Sequence, residues 1–371
     1  MKLTSNLLNM KKLLFVVAIA AGLISCNNAT QSSSKSASET KAAPASSNIT
    51  LSAAGSTFAG PFYKTAFSKY QDSTGVSTAY GLTGSGAGIR SLKDRVVDFC
   101  GSDAYLTDAQ EAQMPAPVVH IPTCSGAVDI AFNVPGVNSI KLTPEVLADI
   151  FLGKITNWDN PALKKLNPGV KFPKLAISVV HRSDGSGTTF IFSDYMSKIS
   201  KTWNDQIGRG TSLNWPTGMG AKGNPGVAGT ISSTVGAIGY IGSDYAFAQK
   251  ISFALLKNQA GNYIAPTIAA VSAAGKGEMT PDTRVMETNS ADPEAYPISG
   301  FTWIILYKDQ AYNGRSLAQA QATLKLLDWM LDPTAQEVGK ELKYAPLPEK
   351  VIKIAKGILR TVTYNGTPIL K

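Results

Sequence analysis

Ala176-Ile177-Ser178-Val179-Val180-His181-Arg182-Ser183-Asp184-Gly185-Ser186-Gly187-Thr188-Thr189-Phe190 is the stretch that sets the reading of this chain. Residues 176–181 are short, apolar and β-branched, as a buried strand requires. Asp184 to Thr188 is a loop of glycines and hydroxyls, and 190–196 then reads as a helix. Strand, tight loop and helix in succession form the unit of an α/β protein, and short apolar stretches alternate with helical segments through most of the sequence. Further strands are expected at 96–100, 127–133, 237–241 and 302–307. Helices are expected from Pro61 to Thr74, with Phe62, Tyr63, Ala66, Phe67 and Tyr70 inward, and from Ser316 to Leu331, with Leu324, Leu327 and Met330 inward. Thr143-Pro144-Glu145 places a capping hydroxyl before a proline at the first helical position. Thr107 with Gln110 has the spacing of a capping box.

The loop before Phe190 has two counterparts. Gly55-Ser56-Thr57-Phe58 precedes the helix near Pro61, and Gly84-Ser85-Gly86-Ala87-Gly88 precedes Ile89-Arg90-Ser91-Leu92. The first turn of a helix carries unpaired N–H groups and the positive end of the helix dipole. Glycine lets a ligand approach the backbone, and Ser and Thr add rotatable donors. Such a terminus takes a small oxyanion without a cluster of cations. A single loop of this kind is more often an ordinary cap in a tight turn; three carry weight only if folding brings them together. None matches a nucleotide loop, since GxxxxGK[ST] is absent.

Two charged residues sharpen this. Arg182 has the planar fork suited to bidentate oxyanion contacts. Asp103, after Phe99-Cys100-Gly101-Ser102, is a carboxylate able to accept the proton that monohydrogen phosphate still carries and that sulfate lacks. Taken alone, each has an ordinary reading, as an ion-paired arginine and a turn residue.

At these residues the sequence resembles the periplasmic phosphate-binding protein of the high-affinity phosphate ABC transporter, from about Leu51 to about Pro348. The matching blocks are Ala54-Gly55-Ser56-Thr57-Phe58, Val97-Asp98-Phe99-Cys100-Gly101-Ser102-Asp103 and Arg182 through Thr188. Leu152-Gly153-Lys154-Ile155, Trp215-Pro216-Thr217-Gly218 and Gly236-Ala237-Ile238-Gly239-Tyr240 add to them. The resemblance implies a two-lobed α/β fold of the type II periplasmic-binding-protein class, with hinge strands between lobes that close on phosphate. Lobe one would comprise 49–126 and 298–371, and lobe two 127–297. Carried over by position, the phosphate site would be Thr57, Phe58, Ser85, Asp103, Arg182, Asp184, Ser186, Gly187 and Thr188. Thr57 and Phe58 would give backbone N–H groups and Ser85 its hydroxyl. Asp103 would accept the phosphate proton, and Asp184 would hold Arg182. Gly86, Ala87, Cys100 and His181 depart from the family pattern, which bears on affinity rather than ligand class.

The first 48 residues read as an address and a leash. Lys11 and Lys12 precede an apolar run, Leu13 to Ile24, about half the length that spans a bilayer. It ends at Leu23-Ile24-Ser25-Cys26, similar to a bacterial lipobox, so residues 1–25 are expected to be a signal peptide and Cys26 the lipidated residue. Residues 26–48, rich in Ser, Ala, Thr and Lys, cannot bury enough apolar surface to order themselves. They would give a tether of about 25 Å mean reach. The protein would then sit on a bacterial membrane facing the periplasm or exterior, a monomer meeting the permease subunits of a phosphate ABC transporter.

Other classes fit less well. The net charge of +9 is partly that of the leader, and no arginine-rich run accompanies it, so nucleic acid is excluded. With two histidines, His120 and His181, and no CxxC, no metal or other cofactor is expected. A phosphoester hydrolase would want clustered carboxylates and histidines or a GxSxG elbow, which are missing. Receptors for sulfate or molybdate, and a surface lipoprotein without a ligand, are the remaining alternatives. Cys100 and Cys124 read equally as a disulfide or as two buried thiols.

Overall fold

The structure is a computed structural model that describes residues 49–371. The signal-peptide reading of 1–25, Cys26 and the tether 26–48 lie outside the described residues.

One path of strands runs through the molecule. Its order is Ser77–Gly81, Thr50–Gly55, Phe99–Ser102, Ser299–Tyr307, Val118–Phe132, Ala237–Gly242, Ser178–Arg182 and Met219–Ala221. Thr50–Gly55 is parallel to both of its neighbours, whereas Ser299–Tyr307 runs antiparallel between Phe99–Ser102 and Val118–Phe132. On the other side, Ser178–Arg182 is parallel to Ala237–Gly242 and to Met219–Ala221. Strand Val118–Phe132 belongs to both halves. Up to Ala127 it pairs with Ser299–Tyr307, and from Val128 onward with Ala237–Gly242. A strand that exchanges partners midway carries the path from one half to the other, and the fold is the two-lobed α/β architecture expected.

Each half has its own apolar core. One gathers the faces of Thr50–Gly55, Phe99–Ser102 and Ser299–Tyr307 under helices Gly60–Thr74, Leu317–Met330 and Glu349–Arg360. The other gathers Val128, Ile130, Phe132, Ile238 and Tyr240 with helices Pro144–Phe151 and Gly187–Ile199. The helical spacing read in the sequence appears in both. Phe62, Tyr63, Ala66, Phe67 and Tyr70 are buried, with the Tyr63 and Phe67 rings stacked at 5.4 Å. Leu324, Leu327 and Met330 are fully buried. At roughly 1.5–3 kcal/mol per buried large side chain, these faces hold each helix on its sheet.

Local signals also set the ends. Thr143 caps Pro144–Phe151, and Thr107 with Gln110 forms the reciprocal capping box. The strand expected at 96–100 instead spans Phe99–Ser102, because Val96 is 70% exposed and ends a turn after helix Ser85–Lys93. Strands at 50–55, 77–81 and the first half of Val118–Phe132 were not anticipated. Pro122 stands in that first half, and the register slips opposite it, between Thr302 and Trp303. Cys100 and Cys124 are both buried and free. Burial pushes both thiols far above their ordinary value, which leaves them unreactive.

Candidate functional site

The three glycine–hydroxyl loops meet. Each opens a helix at the C-terminal end of a strand or turn: Gly60–Thr74, Ser85–Lys93 and Gly187–Ile199. The second and third are bonded directly, Gly86 N–H donating to Gly185 O at 2.9 Å. Gly187 packs so closely that a Cβ there would lie 2.5 Å from Ser85 Oγ and 2.6 Å from Asp103 N. The first loop is tied to the third through Asn224, which donates to Thr57 Oγ1 and, from Nδ2, to Thr188 Oγ1 at 3.0 Å. Thr57, Phe58, Ser85, Asp103, Arg182, Ser186 and Thr188 are all at most 4% exposed, and Gly187 is buried beside them.

Asp103 stands where strand Phe99–Ser102 ends. Its Oδ1 accepts from Ser56 Oγ at 2.6 Å and from Thr302 Oγ1 at 2.8 Å, while its N–H donates to Ser85 Oγ at 3.3 Å. Burial is the largest influence on its carboxyl and pushes it from 3.8 up to about 6. The hydroxyls of Ser56 and Thr302 and the charge of Arg182 hold it from going higher. At neutral pH the group is therefore an ionised, desolvated acceptor. Gly55 makes this closeness possible: its φ of +143° is one that L side chains rarely adopt, and a Cβ there would strike Gly101 O at 2.0 Å.

Arg182 ends strand Ser178–Arg182 with its guanidinium clamped. Nε and Nη2 donate to the two oxygens of Asp184 at 2.7 and 2.5 Å, and Nη1 reaches Thr188 Oγ1 at 3.4 Å. Asp184 also accepts from Gly223 N–H at 3.0 Å. Burial works against its charge, but the hydrogen bonds and charge of Arg182 outweigh it and hold the carboxyl below the usual range. A fixed pair of this kind presents one edge of the guanidinium and cannot swing away.

One expected donor is engaged inside the protein: Phe58 N–H donates to Ser56 Oγ at 3.0 Å. Ser186 Oγ caps its own helix by accepting from Thr189 N–H at 3.0 Å, which leaves the hydroxyl proton of Ser186 free to donate. His181 turns away from the cleft and stacks on Trp215, ring centroids 4.6 Å apart, as the alternation of strand positions beside Arg182 requires.

A family model, the PBP superfamily domain, matches residues 32–334. The phosphate-binding protein PstS of Xylella fastidiosa strain 9a5c is 36% identical over 311 residues, covering 82% of this chain and 84% of that protein. The chain belongs to the PBP superfamily and, within it, to the PstS family. The PstS protein of Methanocaldococcus jannaschii is 35% identical over 300 residues, covering 75% and 77%. Among solved structures, a high-affinity periplasmic phosphate-binding protein bound with phosphate superposes with a TM-score of 0.64 at 19% identity, covering 85% of this chain and 99% of that one. A putative phosphate ABC transporter substrate-binding protein of Clostridium perfringens gives 0.60 at 17%, covering 81% and 100%. At such identities the likeness is one of fold.

In this PstS-family chain Ser56, Thr302, Asn224 and Tyr245 also bond into the candidate site, and no local pattern in the sequence singles them out. Ser56 lies in Gly55-Ser56-Thr57-Phe58, beside the residues expected to hold the ligand. Thr302 enters from a strand 199 positions away. Asn224 sits in Gly223-Asn224-Pro225-Gly226, another glycine-flanked helix opener, whose polar residue is an amide rather than a hydroxyl. Tyr245 donates to Thr57 O at 2.7 Å.

Proposed function

We propose that this chain is an extracytoplasmic receptor that binds inorganic phosphate and delivers it to an ABC-type phosphate import permease. The observation that carries this is Asp103: one buried carboxylate set among helix N-termini, hydroxyls and Arg182, all of which favour an anion. A site for a fully deprotonated anion has no use for a carboxylate, whereas a site for monohydrogen phosphate needs an acceptor for its proton. Sulfate, lacking that proton, would meet only repulsion. By analogy with enzymes that reject a substrate lacking a required polar partner, the discrimination is of the order of ~10⁴-fold.

In this reading Thr57, Ser85, Ser186, Gly187 and Thr188 supply hydroxyl and backbone donors and Arg182, braced by Asp184, a full positive charge; Phe58, expected to give its N–H, lines the site with that N–H already donated to Ser56 Oγ. The lobes are 49–126 with 298–371, and 127–297, hinged near 125–128 and 296–300. Closing them removes phosphate from water, and the closed form is what the permease would recognise. Cys26 would carry the lipid that holds a monomeric receptor at the membrane, facing the periplasm or exterior. Among the described residues no helix is long and apolar enough to cross a membrane. The receptor is not an enzyme in this account: the groups around Asp103 hold an oxyanion.

Equilibrium dialysis of ligand-stripped protein against labelled phosphate tests the assignment. Arsenate, protonated and shaped like phosphate, should displace the label, and sulfate should not. Displacement by sulfate at a similar concentration would point to a general oxyanion receptor.

A further inference from the structure

Asn224 is fully buried and begins helix Gly223–Ser233. Its hydrogen bonds reach across the cleft. Its backbone N–H and its Nδ2 donate to Thr57 Oγ1 at 3.0 and 3.1 Å, and Nδ2 donates also to Thr188 Oγ1 at 3.0 Å. Its own Oδ1 accepts from Gly242 N–H at 3.0 Å, which fixes which end of the amide faces the threonines.

A hydroxyl has two lone pairs and one proton. At Thr57 both lone pairs are met by Asn224 donors. At Thr188 one is met by Asn224 and the other by Arg182 Nη1 at 3.4 Å. Neither hydroxyl has acceptor capacity left, so each must offer its proton elsewhere. The two threonines stand on opposite sides of the cleft, in the first and third helix-opening loops.

The geometry points to Asn224 as a positioning residue that makes the hydroxyls of Thr57 and Thr188 obligate donors to the bound oxyanion and stitches the two lobes together in the closed form. The inference rests on the phosphate reading of the site and extends it. It assigns Asn224 no contact with phosphate. The amide acts through two side chains that do touch it, and it is satisfied only when both lie within reach. Holding the lobes together is a matter of release rather than entry, so the effect belongs in the dissociation rate. Recognition of the phosphate proton stays with Asp103, so the preference for phosphate over sulfate does not pass through Asn224.

Stopped-flow and calorimetric binding of inorganic phosphate to the full chain, stripped of ligand, tests this with two variants. Asn224→Ala keeps the backbone N–H but removes both side-chain donors. Its phosphate affinity should fall by roughly ten- to a hundredfold, the worth of the two neutral hydrogen bonds that its Nδ2 makes to Thr57 and Thr188. The fall should come from faster release, with association changed by less than about threefold and the phosphate-to-sulfate ratio kept. Asn224→Asp keeps the shape and reverses the role, because a carboxylate draws the threonine protons to itself. It should bind more weakly than Asn224→Ala, and it carries the test if the alanine variant does not fold.

In a cycle with Thr57→Val, the Asn224→Ala loss should shrink, since part of it acts through that hydroxyl. Additive losses, or an equal loss in association and release, would reduce Asn224 to a general structural role and overturn the proposal. Wild-type protein that binds no phosphate would instead overturn the reading of the site. Wild type that binds, with both variants undiminished, overturns this inference alone.

Discussion

Ser56 Oγ donates a 2.6 Å hydrogen bond to Asp103 Oδ1, joining the first helix-opening loop to the end of a neighbouring strand. The same oxygen accepts the N–H groups of Phe58 and Ala59 at 3.0 and 3.1 Å, so Ser56 folds the loop that leads into helix Gly60–Thr74 while it steadies an anion. This bond helps to keep the Asp103 carboxyl at about 6 against a burial that drives it upward. Ser56→Ala should therefore raise it further, leaving more of the group protonated at pH 7 and unable to accept. Phosphate affinity at pH 7 should fall by about tenfold, with part of the loss recovered as pH rises. Affinity measured against pH for both proteins checks this, and parallel curves would contradict it.

Gly187 offers a steric test of closure. A methyl at this position would lie 2.5 Å from Ser85 Oγ and 2.6 Å from both Asp103 N and Asp103 Cβ, and two of those three atoms belong to parts that cannot simply rotate aside. Gly187→Ala should keep the cleft from shutting and lower phosphate affinity by roughly a hundredfold, the scale of a misplacement of about 1 Å. The thermal midpoint of the ligand-free protein should change little, since opening relieves the clash. Calorimetry with solution scattering separates the two effects.

Salt gives a third test. The donors around Asp103 are buried dipoles and one clamped guanidinium, and mobile ions screen such contacts poorly. Phosphate affinity should change by less than about threefold between low and physiological ionic strength. A steep loss, measured by titration at several salt concentrations, would mean that exposed charge does the binding.

Glu287 gives the fold a dependence on pH away from the site. It is buried beside the strand exchange, its Oε2 accepting from Ser125 Oγ at 2.5 Å, and burial pushes its carboxyl from 4.5 up to about 8. Between those values the folded chain holds a proton that the unfolded chain has released. Stability must then fall as pH rises across that window, by something on the order of a few kcal/mol in all. Glu287→Gln should flatten the slope, and urea titrations from pH 5 to 8 should show it. An unchanged slope would show that Glu287 does not titrate in this way.

What could be read from the sequence divides along a physical line. Helix starts were legible because their chemistry is local: Thr143 before Pro144, Thr107 three residues from Gln110, Ser186 before Gly187. Arg182 and Asp103 were legible because each adjoins such a start or a strand end. Long-range contacts left no local mark. Thr302 reaches Asp103 because Ser299–Tyr307 lies beside Phe99–Ser102, a pairing that no short motif announces. The first half of Val118–Phe132 was hidden by Pro122, which lacks the N–H a central strand uses, and the structure accommodates it with a slip in register. Asn224 escaped notice because its partners, Thr57 and Thr188, lie 167 and 36 positions away.

The proton-reading role of Asp103 is best tested by calorimetric titration of ligand-stripped wild type and Asp103→Asn with phosphate and with sulfate near pH 7.5. Wild type should bind phosphate far more tightly than sulfate. The amide, able to donate where the carboxylate only accepts, should narrow that gap, and acidifying wild type through about pH 6 should move it the same way. The same preference for phosphate in both proteins would contradict the account.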